Sequence, residues 1–359
     1  MHGQFSAPIS YAGIISIAIS AGLVVSSLLS DSMARRFGTG LVVILSVFIS
    51  GISLIGFSVS GSFLLLCLWA IPYGLAAGSM DAVINNYVAV NYSSGHMHWL
   101  HCLWGLGAMI GPYIMGFYLT HGFEWTAGYI TVALIQIVFF GALFISLPWW
   151  KKPEKDEKKD APIKPFSELI KIKGVKYVLL AFVAYCAIEA TARLWTSTYL
   201  VVHRGISTEA AAGFSALLFI GITVGRLISG IISAKMGNQR MIMAGISLIF
   251  VGVGLLWLPV QADLVSLIGL VIIGLGCAPV FPAIIHSTPE AFGHENSQAL
   301  VGMQLASAYT GSALMPTLFG LIAGNVGMGV YPLFLLGFGV MLLVMVVIAR
   351  RSIKIYRLP

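Results

Sequence analysis

Charge is what this sequence has least of. Asp, Glu, Lys and Arg make up only 9% of its 359 residues, while 58% are hydrophobic. A soluble domain carries about a quarter charged residues, so water is excluded as the main solvent of the chain. Cysteine is also scarce. Cys67, Cys102, Cys186 and Cys277 lie inside apolar runs without paired spacing, which argues against a disulfide framework or a metal site and for small packing residues. No G-x-x-x-x-G-K-S/T loop occurs, so ATP hydrolysis by that route is excluded. His, Asp and Glu show no metal-ligand spacing, and no cofactor is expected. The formal charge of +7 is interleaved with apolar segments. It suits the anionic headgroups of membrane lipids and is poor evidence for a nucleic-acid partner.

Long apolar runs dominate what remains. A helical span needs about 20 apolar residues. Candidates fall at roughly 9–30, 40–59, 63–90, 98–120, 127–149, 176–201, 209–234, 240–260, 263–286, 297–323 and 329–349. Short loops make them run up and down. The Lys and Arg residues recur on one side of every second run. Arg35 and Arg36 follow the first, nine basic residues cluster between Lys151 and Lys176, Lys235 and Arg240 follow a later run, and Arg350, Arg351, Lys354 and Arg357 close the chain. Loops on the other side hold only Arg204. This is the positive-inside pattern of a multi-pass plasma or inner membrane protein, with the basic middle segment and the C-terminus cytoplasmic. Residues 151–175 are charged, Pro-containing and poor in apolar residues. They read as a cytoplasmic linker between an N-terminal bundle, 1–150, and a C-terminal bundle, 176–359.

The two parts resemble each other. GLVVSSLLSDSMARRFG (22–38) aligns with GITVGRLISGIISAKMG (221–237), placing Gly22, Ser30 and Gly38 on Gly221, Ser229 and Gly237. Gly74 and Leu75 match Gly274 and Leu275, and Pro112 and Gly116 match Pro316 and Gly320. Three matches in the same order, with a basic loop after each first element, indicate a parallel duplication. Five spans precede the linker and six follow it. The repeat therefore implies that the first visible span is the second of a six-helix unit, that a first helix is missing, and that this chain alone transports poorly; the alternative is a natural eleven-span protein.

These features resemble the major facilitator superfamily over essentially the whole chain. SLLSDSMARRFG is similar to a degenerate form of its G-x-x-x-D-R-x-G-R motif, keeping Asp31, Arg35, Arg36 and Gly38. GIISAKMGNQR (230–240) keeps Gly230, Lys235, Gly237 and Arg240 and lacks the acid. Within the superfamily the chain resembles the fucose:proton symporter family, in Asp81 followed after three residues by Asn85, and in HWLHCLWGLGAMIGP (98–112), where His101 and Trp104 fall on positions that touch sugar. The family's second proton-linked acid lies on a first helix that is absent here. The resemblance implies an all-α membrane protein of the major facilitator fold. Its two helical bundles, of five and six helices, would be related by pseudo-two-fold symmetry, with a central site at mid-membrane and rocking of the halves.

Ionisable side chains inside spans face cavities or partners. Asp81 lies mid-span one turn from Asn85 and is expected to carry a proton, with Asn85 and Asn86 binding solute hydroxyls; the alternative is an acid satisfied by a buried partner. Tyr185, Glu189 and Arg193 share one helix face. They read either as a network with Glu189 in proton coupling and Tyr185 and Arg193 at the solute, or as a structural pair. Trp104, flanked by Gly105 and Gly107, offers a ring face for stacking on a sugar or packs against helices or lipid. His98 and His101, one turn apart, are gate groups or hydrogen-bonded histidines. Phe281, His286, Gln304 and Tyr309 face the cavity if the repeat holds. Asp31, Arg35, Arg36, Arg226 and Lys235 read as gating or structural residues, Arg226 pairing with a loop or neighbouring helix at the inner gate.

The expected function is secondary active transport, by a monomer and not an enzyme, of a sugar or polyol with protons. Efflux of drugs or metabolites is the alternative within transport, and a non-transporting sensor or scaffold the alternative outside it.

Overall fold

A computed structural model describes residues 11–150, 164–258 and 263–357. Among them are eleven helices long and apolar enough to cross a membrane. In lipid the backbone must satisfy its own hydrogen bonds, and an apolar run of this length does so as a helix. The helices are α1 Ala12–Phe37, α2 Thr39–Val59, α3 Phe63–Asn91, α4 Ser94–Thr120, α5 Trp125–Ser146, α6 Val175–Val202, α7 Thr208–Met236, α8 Asn238–Trp257, α9 Asp263–His286, α10 His294–Val326 and α11 Tyr331–Arg357. They follow the apolar runs closely. The clearest differences are at α1, which continues beyond the run ending near residue 30 to Phe37, so Asp31, Arg35 and Arg36 are helical and not loop residues, and at α11, which continues beyond the run ending near residue 349 to Arg357. Asp31 and Arg35 stand one turn apart and pair there, which lets the helix carry charge past the apolar run. Most of the basic linker, including Lys151, Lys152, Lys155, Lys158 and Lys159, lies outside the described residues.

Two sharp connections are built alike. Gly38, with φ 80° and ψ 149°, joins α1 to α2, and Gly237, with φ 75° and ψ 155°, joins α7 to α8. Both lie in the left-handed half of backbone space that glycine enters without a Cβ penalty. They are the two glycines that the internal alignment superposes.

Packing divides the chain into two compact units. The first comprises Met1–Tyr87, Gly107–Lys164 and Ser297–Ala306; the second comprises Val88–Leu106, Pro165–Asn296 and Ser307–Pro359. In the first, Leu54, Phe57, Leu66, Ala70 and Ala133 form one buried cluster, and Val42, Val43 and Val83 another. α1 crosses α3 at glycines: a Cβ built on Gly22 would stand 2.9 Å from the Gly74 backbone, and one on Gly74 would overlap the Ile19 carbonyl oxygen. In the second unit the aligned pair does the same. A Cβ on Gly221 would stand 2.5 Å from the Val271 carbonyl oxygen, and one on Gly274 would overlap that of Leu218. Lipid supplies no hydrophobic drive between helices, so close backbone approach at small residues is the main source of association. The duplication thus repeats a physical contact and not only letters.

Candidate functional site

The second unit gathers charge at mid-span. Tyr185, Glu189 and Arg193 follow one another at four-residue intervals on α6, so helix geometry stacks them on one face. The buried Tyr185 hydroxyl lies 2.5 Å from Glu189 Oε2 and 3.1 Å from the Cys277 carbonyl oxygen of α9. Glu189 Oε1 is 3.7 Å from Arg193 Nε, and Oε2 is 4.0 Å from Arg226 Nη2 of α7. Arg226 is only 3% exposed. Its Nη1 donates to the His101 carbonyl oxygen at 3.1 Å, and its guanidinium stands 5.3 Å from the Trp104 ring centre. α4 thereby holds the cation from two sides, by a backbone acceptor and by an aromatic face. Below the cluster, Phe281 is enclosed by the rings of His101, Phe182 and Tyr185, with centroids 5.0, 5.1 and 5.7 Å away.

The expected network of Tyr185, Glu189 and Arg193 is therefore assembled, and His101, Trp104 and Phe281 join it. Arg226 joins it too. It pairs with neighbouring helices, through the His101 carbonyl of α4 and Glu189 of α6, and neither partner has a spacing signature in the sequence. His98 is fully buried, and neither ring nitrogen has a hydrogen-bond partner among the described residues, unlike the hydrogen-bonded histidine that was the alternative expectation. His286 is engaged elsewhere than in a cavity. Ser94 Oγ donates to Asn238 Oδ1 at 2.6 Å, Asn238 Nδ2 donates to His286 Nδ1 at 3.0 Å, and His286 Nε2 donates to the Tyr92 carbonyl oxygen at 3.0 Å. This unbroken donor chain ties the ends of α3, α4, α8 and α9 together, and it assigns the Nε2–H tautomer.

The first unit carries the other mid-span acid. Asn85, fully buried, donates from Nδ2 to Asp81 Oδ1 at 2.8 Å and to the Asp81 carbonyl oxygen at 2.9 Å. Asn86 points round the helix from Asn85, and its Oδ1 accepts from Ser297 Oγ at 2.5 Å. Gln298 Nε2 reaches Ser30 Oγ at 3.2 Å. Gln304 is buried, on the same α10 segment. The roles of Ser297 and Gln298 were missed in the sequence; an amide one turn into a glycine-poor stretch of α10 was the available sign. At the end of α1, Arg35 Nε donates to both Asp31 oxygens, at 3.1 and 3.0 Å. Arg36 is exposed over the Phe37 ring, and Lys235 is exposed in the last turn of α7. These lie at helix ends, apart from the mid-span acids along the chain.

Eleven apolar helices, a repeated glycine crossing and charge confined to mid-span clusters and basic ends describe a class of membrane carrier. The model of the Major Facilitator Superfamily matches residues 1–303. The chain belongs to that superfamily. Among relatives it is 25% identical to the MFS-type transporter YfkL of Bacillus subtilis over 329 residues, which cover 88% of this chain and 79% of that protein. It is 22% identical to the hexuronate transporter of the same organism over 253 residues, 65% of this chain and 58% of that one. The fold matches the crystal structure of the E. coli fucose:proton symporter FucP with a TM-score of 0.78 at 14% identity, over 97% of this chain and 92% of that chain. The protein is a multi-pass membrane transporter of the major facilitator fold, not an enzyme.

Proposed function

We propose that this transporter moves a sugar or polyol with protons, by alternating access, into the cell across the plasma or inner membrane. The observation that carries the reading is the Asp81–Asn85 pair. A mid-span carboxylate is strongly unfavourable unless it has work to do, and its neighbour here is an amide. An amide can donate to the ionised acid and, turned over, accept from the protonated one. Such a partner supports both states of a proton carrier. The similarity to FucP, and to the proton:xylose symporter XylE at a TM-score of 0.77 and 12% identity, supports the same class of cargo. The test is uptake of labelled hexoses, pentoses and polyols by cells expressing the protein. At least one is expected to accumulate, and a protonophore is expected to abolish its accumulation. Accumulation indifferent to the protonophore would reject proton coupling.

Trp104 is half exposed, with Arg226 on one side of the ring. The remaining face suits stacking on a sugar ring. Trp104→Ala is expected to lose roughly 1–3 kcal/mol of solute affinity, and Trp104→Phe less. Equal binding by wild type and Trp104→Ala in calorimetry would remove Trp104 from the site.

Orientation follows from the basic ends. With Cys67 replaced by Ser, a cysteine at Ser167, beside the basic linker, is expected to resist a membrane-impermeant maleimide in intact cells and to react once they are opened. Rapid labelling in intact cells would invert the topology.

A further inference from the structure

Mid-span in the second unit there are two cations and one anion. Arg193 and Arg226 face Glu189, leaving one positive charge in excess. Every other acid in this unit lies at a helix end or in a one-turn helix: Glu168, Glu209, Asp263, Glu290 and Glu295. Nor does Glu189 satisfy the two guanidiniums it has. At 3.7 and 4.0 Å both contacts are longer than hydrogen bonds, and the carboxylate already accepts from Tyr185. The Nε atoms of Arg193 and Arg226 are both buried, and neither has a hydrogen-bond partner among the described residues. A buried donor left without an acceptor is unfavourable, and more so when it carries charge.

The cluster is open on one side. The Arg193 side chain keeps 29% of its surface exposed, and at mid-span an exposed guanidinium faces an aqueous cavity rather than lipid. Arg226 is held in place by the His101 carbonyl and the Trp104 ring, and so is pre-organised to receive an acceptor. Guanidinium donors form a planar fork that matches a carboxylate.

We infer that Arg193 and Arg226 receive the carboxylate of the transported solute, which makes the cargo a sugar acid rather than a neutral sugar. The inference rests on the sugar-symport reading above and narrows it. One carboxylate balances the single excess charge, whereas a phosphate dianion would overshoot it. The exposed part of Trp104, next to Arg226, offers the apolar ring of the same molecule a surface. The arrangement reads charge and ring together.

The test compares D-galacturonate with D-galactose, which differ only in a carboxylate for a hydroxymethyl, by calorimetry on the purified protein. Galacturonate is expected to bind at least roughly tenfold more tightly, the least that one charge-assisted hydrogen bond supplies. Arg193→Gln is expected to bring that ratio close to one, and Arg226→Lys, which keeps charge but loses the fork, to an intermediate value. The melting transition of each variant in detergent, without solute, is the reference for folded protein, so a variant that merely misfolds cannot imitate the result. A ratio at or below one in wild type would overturn the inference and leave neutral-sugar symport standing. A ratio unchanged in both variants would also overturn it, because the acid would then be read elsewhere. Competition by nitrate as strong as by galacturonate would mean that the cluster reads charge alone and would reject the sugar acid. Binding of neither sugar would reject both readings.

Discussion

Asp81→Asn is expected to abolish proton-driven accumulation while leaving solute exchange intact. A proton moving through 100 mV supplies about 2.3 kcal/mol, enough for roughly 50-fold accumulation of a solute carried with it. Asn has the shape of the protonated acid and cannot release the proton. The variant should still bind, reorient and swap labelled for unlabelled solute, because exchange never requires the empty, deprotonated carrier to return. Under an imposed gradient its internal concentration should not exceed the external one. Counterflow and gradient-driven uptake, measured on the same vesicles, separate these two properties. Accumulation by Asp81→Asn at the wild-type level would remove Asp81 from coupling.

The second large effect is expected in folding. Gly74→Ala places a Cβ against the Ile19 carbonyl oxygen, and Gly274→Ala places one against that of Leu218. In both cases the obstacle is backbone, which cannot swing aside as a side chain would. Overpacking of this kind destabilises by about 1–3 kcal/mol, and the crossings between α1 and α3 and between α7 and α9 should open. Gly141→Ala, in α5, meets nothing within 4 Å. Its melting temperature in detergent should stay at the wild-type value or rise slightly, since Ala is the better helix former by about 1 kcal/mol. Gly74→Ala and Gly274→Ala should both melt several degrees lower. Equal melting of all three variants would show that close glycine crossings do not hold these helices together.

Much of this was legible because lipid imposes simple rules. Spans are read from apolar length alone, and all eleven fall where hydropathy puts them. The glycine repeat was readable for a related reason: at a helix crossing no other residue fits, so Gly22, Gly74, Gly221 and Gly274 stand out as letters before they stand out as contacts. Within one helix, the period of 3.6 residues brought Asp81 to Asn85 and Tyr185 to Glu189 and Arg193. What could not be read lies between helices. Arg226 and the His101 carbonyl are 125 residues apart, and Asn86 and Ser297 are 211 apart. No local pattern announces which turn of one helix meets which turn of another. A backbone acceptor such as the His101 carbonyl leaves no trace in side-chain identity at all. The end of α1 was misread because an apolar window stops at the first charge, whereas a helix whose charges pair at one-turn spacing does not.

Proton movement measures coupling directly, without an imposed gradient. Purified protein is placed in weakly buffered liposomes whose membrane potential is clamped with potassium and valinomycin, and external pH is followed as solute is added. A transported sugar or sugar acid is expected to make the outside more alkaline as it enters, and Asp81→Asn to remove the pH change while solute exchange continues. Solute entry with no accompanying change in external pH would contradict proton coupling.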